Sequence, residues 1–146
     1  MIRRAVCADA ETIAAIDRCA DAHRPWTKEM FRDALSDPLY TFYVYEADGV
    51  PVGFGCVRDV GGEAELEYIA VAEEFRRRGI AGSLMDALIS AARAGGAQAV
   101  FLEAGAQNRP ALALYEKHGF AALYTRKNYY GQGKDAVVLK KVLPAP

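Results

Sequence analysis

Apolar positions along the chain change period several times, and each change predicts a new element. Ile13, Ile16 and Ala20 recur at helical spacing behind Asp9 as an N-cap, and this first helix is expected to end near His23 and Pro25. Thr27 opens a second, shorter helix. Trp26 before that cap and Phe31 at the fourth helical position predict a hydrophobic staple. From residue 40 the period drops to two, giving strands at 40–46, 51–58 and 63–71 joined at Ala47-Asp48-Gly49 and Gly61-Gly62, an antiparallel meander. Ala81, Leu84, Met85, Leu88, Ile89 and Ala92 then form one helical stripe, stopped by Gly95-Gly96. The run 97–102 is almost wholly apolar, as expected of a central strand covered on both faces, parallel to its neighbour and ended by Glu103. Asn108 caps a fourth helix, with Pro110 in its first turn and Gly119 past its end. Two last strands, 122–127 and 135–141, are predicted to pair across the loop between them. The order describes a single mixed α/β domain over 1–146, its sheet antiparallel at first and parallel in the middle.

Composition narrows the function classes. The chain has 146 residues, 52% of them hydrophobic and 25% charged, enough to bury a core without a disulfide or metal. The formal charge of -1 gives no field to gather nucleic acid or an anionic membrane, so any anion site must be local. Cys7, Cys19 and Cys56 lack CxxC or metal-type spacing, and the N-terminus lacks the apolar stretch of a secretion signal, so a reducing cytoplasm and no resident metal are the expectations. The longest apolar run is far short of the roughly 18 to 20 residues of a membrane span.

Candidate chemistry begins at the turn Arg76-Arg77-Arg78-Gly79-Ile80-Ala81-Gly82, between a strand and the strongest helix. Glycines there let several backbone N–H groups converge at the positive end of a helix, and arginines add bidentate donors, an arrangement suited to phosphate. The segment 76–81 matches the signature Q/R-x-x-G-x-G/A of the GNAT superfamily of N-acetyltransferases, which the chain resembles over nearly its whole length. Ile69-Ala70-Val71, Leu102-Glu103, Asn108, Ala113-Leu114-Tyr115-Glu116 with Gly119-Phe120, and Arg126-Lys127-Asn128-Tyr129-Tyr130 look like the RimI-type ribosomal-protein alanine N-acetyltransferases, which Pro25-Trp26 and Asp135-Ala136 also fit.

The resemblance implies a sheet splayed between the fourth and fifth strands to admit acetyl-CoA. Ile69, Ala70 and Val71 would offer backbone groups to its pantetheine arm; Arg77, Arg78, Gly79, Ile80, Ala81 and Gly82 would hold its pyrophosphate; Asn108 would contact it. It also implies Glu103 as general base and Tyr115 as general acid. Position alone reads otherwise: Glu103 as a strand-boundary carboxylate, and Tyr115 as a packed aromatic on the stripe of Ala111, Leu114 and His118. His118 reads as a residue favoured by the helix C-terminus, and none of the cysteines sits where a nucleophile is wanted.

For the acceptor, an α-amine has a pKa of about 7.7 to 8.0 against about 10.4 for lysine, so neutralising lysine costs roughly 3.5 kcal/mol more. One carboxylate base serves the α-amine more easily. A protein or peptide N-terminus is therefore the expected partner, with the tyrosines of 124–130 walling a slot for an extended peptide; that the acceptor is a ribosomal protein is what the resemblance implies. The alternatives are a small amine or a lysine side chain as acceptor, and a non-catalytic acyl-CoA-binding module, which the presence of both Glu103 and Tyr115 argues against. The chain departs from the RimI type at Gly105, where an Arg is usual, and at Tyr68, where Asn is common.

Overall fold

The structure, a computed structural model, describes residues 1–19 and 26–145, the side chain of Cys19 excepted. Ala20, His23 and Pro25, expected at the end of the first helix, lie outside the described residues. Seven strands form one sheet in the order β1-β2-β3-β4-β5-β7-β6, with β1 Ile2–Arg4, β2 Tyr40–Ala47, β3 Val50–Asp59, β4 Ala64–Val71, β5 Ala99–Gly105, β6 Ala121–Arg126 and β7 Ala136–Val142. Every neighbouring pair is antiparallel except β4 with β5. The meander turns as its sequence requires. Asp48 and Gly49 have φ of 52° and 78°, Gly61 and Gly62 of 79° and 88°, so both hairpins close through left-handed residue pairs that match the strand twist.

Helices α1 Ala10–Cys19 and α2 Lys28–Ser36 cover one face; α3 Ile80–Ala94 and α4 Arg109–Lys117 cover the other. On the first face Ile13, Phe31, Phe42, Val44, Phe54 and Cys56 are buried together. On the second, Met85 and Leu88 of α3 meet Leu66, Val100, Leu102 and Leu139 of the sheet. The staple forms as predicted: the Thr27 hydroxyl accepts from the Met30 N–H at 3.2 Å, and the Trp26 and Phe31 rings lie 5.2 Å apart. Tyr68, the departure from the RimI type, joins this aromatic group, its ring 5.1 Å from Trp26 and 5.8 Å from Phe31.

Two expectations need correction. Asp9 does not cap the first helix at its own position. A 3-10 turn, Cys7–Asp9, precedes α1, and the Asp9 carboxylate turns back to accept from the Val6 N–H at 2.8 Å and from both terminal nitrogens of Arg3 at 2.8 and 2.9 Å. A bidentate guanidinium outcompetes a neutral cap. It also fastens β1, which no hydrophobic period announced, to the rest of the fold. Glu103 does not end its strand: β5 continues to Gly105, because its pairing with β7 runs on to Gly105 opposite Ala136. On β4, Ala70 is buried in the α1–α2 face while Ile69 and Val71 pack toward α3. No helix among the described residues is long and apolar enough to cross a membrane.

Candidate active site

The turn before α3 has the geometry of an anion cradle. Arg77 and Gly79 are both left-handed, with φ of 64° and 77°, and flank Arg78. A left-handed residue next to right-handed ones directs successive N–H groups into one concavity. Helical bonding starts with Ser83 donating to the Gly79 carbonyl at 3.1 Å, so the N–H groups of Ile80, Ala81 and Gly82 belong to the first turn that the helix itself leaves unpaired. No acidic residue occupies that turn and no side chain caps it. Two of the three arginines have side-chain contacts of their own. Arg76 donates from Nε to the Val71 carbonyl at 3.0 Å, tying the turn to the end of β4, and the Arg78 guanidinium lies 5.0 Å from the centre of the Phe75 ring. Ile80 is buried, so its part in such a site is backbone alone. Gly82 is small for a different reason: a Cβ there would stand 3.3 Å from Nε2 of His118, so the glycine admits close contact between α3 and the end of α4.

Parallel pairing of β4 with β5 runs from Ala64 opposite Val100 to Glu65 opposite Phe101 and then stops. The cause is visible on the other edge of β4. Val57 pairs with Leu66 and Cys56 with Tyr68, leaving Glu67 as the extra residue of a β-bulge, which bends the strand. Beyond the bulge, Ile69, Ala70 and Val71 remain paired to Gly55, Phe54 and Gly53 of β3, while their other edge diverges from β5. Side chains of these three residues are used in packing, so backbone groups are what this edge offers a ligand. The donors of the first turn of α3 with its arginines suit a pyrophosphate, and the diverging strand edge suits an amide-bearing arm, the parts of acetyl-CoA that the resemblance implies for them.

Glu103 lies on β5 in a cross-strand row with Val138 of β7 and Tyr124 of β6. Its side chain is about a quarter exposed (26%), and Oε1 stands 3.5 Å from Nη1 of Arg126. Tyr115 projects from α4 into the second core, its ring 6.1 Å from Phe120, and burial pushes its phenol up to about 12, with Tyr130 adding to the shift. A phenol so shifted keeps its proton throughout the neutral range and can donate. Tyr130 is raised as well, by burial and then by Glu103, so Glu103, Tyr130 and Tyr115 share one electrostatic neighbourhood. Asn108 caps α4, its oxygen accepting from the Ala111 N–H at 3.3 Å, which leaves its amide nitrogen for a ligand.

Four features escaped the sequence reading. Glu67 is a half-buried carboxylate raised by burial, with Arg58 Nε 3.8 Å from Oε1, and nothing in the pattern of β4 marks it as a bulge. Arg126 was seen as part of a motif and given no role of its own. His118 is the α4 C-cap as expected, but its Nδ1 lies 3.1 Å from an Asp86 oxygen on α3. Asn128 is left-handed, with φ of 55°; its oxygen accepts from the Gly133 N–H at 2.7 Å and its own N–H donates to Asp135 at 2.9 Å. Asn in such a conformation before glycines and an aspartate is the one signal available from sequence. Cys56 is buried and its thiol pushed well up, and Cys7 is exposed on the 3-10 turn, so neither stands in this site.

This fold, with an anion-cradling turn before its third helix and a sheet opened beside it, defines an acyltransferase. The chain belongs to the Acetyltransferase (GNAT) family, whose sequence model matches residues 10–120, and is an acetyl-CoA-dependent N-acetyltransferase. It is 35% identical over 118 residues to the [ribosomal protein bS18]-alanine N-acetyltransferase of Salmonella typhimurium, covering 79% of each chain. It is 41% identical over 126 residues to the N-alpha-acetyltransferase of Saccharolobus solfataricus, covering 77% of this chain and 75% of the relative. The crystal structure of the ribosomal-protein-S18-alanine N-acetyltransferase from Escherichia coli superposes with a TM-score of 0.90 at 27% identity, covering 100% of this chain and 95% of that one.

Proposed function

We propose that this enzyme acetylates the N-terminal α-amine of a protein, with a ribosomal protein beginning with alanine as the acceptor, acting as one domain over residues 1–146 in the cytoplasm. The observation that carries the reading is the edge of β4 left open beside β5, with Glu103 on β5 and with Tyr130 linked electrostatically to both Glu103 and Tyr115. The relatives named as N-alpha-acetyltransferases support the acceptor class.

The chemistry asks for a neutral amine and a stabilised leaving sulfur. Glu103 takes the proton of the acceptor ammonium through water, freeing the nitrogen lone pair to attack the thioester carbonyl carbon. Tyr115, protonated at this pH, donates to the sulfur as the carbon–sulfur bond breaks. The nitrogen sheds its second proton as the amide forms, which restores the phenol through water, and the first passes from Glu103 to solvent. Ammonium and thioester thus give amide, thiol and one released proton. The unpaired N–H groups of residues 80–82 and the side chains of Arg77 and Arg78 hold the pyrophosphate; the open edge of Ile69, Ala70 and Val71 aligns the pantetheine arm; Asn108 contacts it. Tyr124, Tyr129 and Tyr130 wall the acceptor slot.

Product mass spectrometry with acetyl-CoA tests this on a peptide beginning with alanine and on the same peptide with its N-terminus blocked and a lysine free. Acetylation of the first at its α-amine is expected. Acetylation confined to the blocked peptide would sink the reading.

A further inference from the structure

β6 is the edge of the sheet, and all six of its side chains are exposed. Packing therefore dictates nothing at its last position, yet the side chain of Arg126 is held from three directions. Its guanidinium carbon lies 5.2 Å from the centre of the Tyr129 ring and 5.8 Å from that of Tyr124. Nη2 donates to the Tyr124 hydroxyl at 3.3 Å, and Nη1 faces Glu103 at 3.5 Å. The loop that presents Tyr129 is preset by its own hydrogen bonds: Asn128 to Gly133 and Asp135, Tyr130 to the Lys134 carbonyl at 3.0 Å, and Lys134 to the Gly131 carbonyl at 2.9 Å.

Register explains why an arginine on β6 can reach β5 across a whole strand. Tyr124, Val138 and Glu103 form one row; Arg126, Ala136 and Gly105 form the next. Ala136 is a buried methyl and Gly105 has no side chain, and a Cβ built on Gly105 would find its nearest neighbour only at 3.9 Å. Beyond Arg126 the second row thus carries a single methyl, and the long side chain of Arg126 crosses it to Glu103.

We propose that Arg126 is a positioning residue for the acceptor half of the reaction. It engages Oε1 of Glu103 and leaves Oε2 to the water and amine, so the base is held in one rotamer. Its fixed positive charge beside the acceptor slot also disfavours an ammonium there relative to the neutral amine, which is the attacking form. The two tyrosines hold the guanidinium by stacking, a contact that lysine cannot reproduce. This rests on the assignment of Glu103 as base.

The test compares the full-length wild type with R126A, R126K, E103Q and the double variant R126A/E103Q, using acetyl-CoA and the alanine peptide. R126A is expected to lower kcat between roughly tenfold and a hundredfold, as misplacing a catalytic group does. Its KM for acetyl-CoA should stay unchanged and its melting temperature close to that of wild type, because Arg126 lies exposed on the edge strand. R126K should recover part of the loss. In the E103Q background, removing Arg126 should cost nothing further. An equal loss in both backgrounds, or a rise in the KM for acetyl-CoA alone, would overturn the inference. Loss of activity in E103Q with full activity in R126A overturns this inference and spares the base; full activity in E103Q overturns the base assignment itself. Should R126A misfold, R126K, which keeps the charge and the stem, carries the same comparison.

Discussion

Replacing Tyr115 by Phe separates a chemical role from a packing role, because the structure gives the phenol two measurable consequences. The ring packs against Phe120 and the second core, contacts that Phe retains, so stability near neutral pH should change by less than about 1.5 kcal/mol, as for a volume-conserving swap. What is lost is the O–H. A hydrogen bond to a group developing charge contributes about 1.5 to 3 kcal/mol, so kcat should fall between roughly tenfold and a hundredfold or slightly more, with the KM for acetyl-CoA little changed. The second consequence lies in alkali. Burial raises the Tyr115 pKa from 10.0 to about 12, so its folded-state value exceeds the unfolded one. Stabilisation from this group is complete below the unfolded pKa and is lost as pH rises through the folded one. Two units at about 1.36 kcal/mol each make the loss roughly 2 to 3 kcal/mol between pH 10 and 12, in wild type and not in Y115F. Steady-state kinetics and urea unfolding at several alkaline pH values measure both. Unchanged kcat in Y115F would refute the donor role. Unfolding curves that stay parallel for the two proteins would refute the buried phenol.

Substitutions at three further positions probe the scaffold. Gly79→Ala meets no atom within 4 Å but must adopt φ near 77°, so urea unfolding should show a loss of about 1 to 2 kcal/mol, with a raised KM for acetyl-CoA; Gly79→Asn should recover most of both, and equal losses would point away from backbone strain. In Gly55→Ala the new methyl would meet Leu88 at 2.6 Å and Ile69 and the Tyr68 carbonyl at 3.0 Å, so overpacking should cost about 1 to 3 kcal/mol, and wild-type stability would contradict the close approach of α3 to β3. Asp17 is buried and accepts from the Trp26 N–H at 3.1 Å, with its pKa raised above 3.8 by burial. A raised folded pKa gives stability that is present in acid and lost as pH climbs, so Asp17→Asn, which keeps an acceptor, should be at least as stable as wild type near neutral pH and lose that advantage toward acid. A variant weakest at neutral pH would show that the charge itself is needed.

What could be read in the sequence was whatever is decided within a few residues. Thr27 finds its N–H three positions on, Trp26 finds Phe31, and Asp48-Gly49 and Gly61-Gly62 carry the dihedral freedom their turns need. Gly79 and the stripe from Leu84 to Leu88 were equally local. The unread parts depend on partners brought together by the sheet. β1 is three residues long and held by Arg3, a side chain that no hydrophobic period reveals. The bulge at Glu67 is a mismatch between two registers, visible only when β3 and β4 are laid side by side. The bond from Arg126 to Glu103 spans a strand contributed from later in the chain. In the site, the residue types were legible from the resemblance, whereas the environment that tunes Tyr115 and orients Glu103 was not.

The bulge at Glu67 has a consequence for the integrity of the molecule. Past Glu65 and Phe101 the sheet is in effect two smaller sheets, β1 to β4 and β5 to β7, joined along a short seam and clasped on one side by α3. On the proposed reading, the arm of acetyl-CoA lies in the gap as a borrowed strand, and the cosubstrate is then a transient component of the architecture as well as a reactant. Each turnover removes that component when the thiol product departs, so the enzyme alternates between a sutured sheet and a cleft one at the rhythm of its own catalysis.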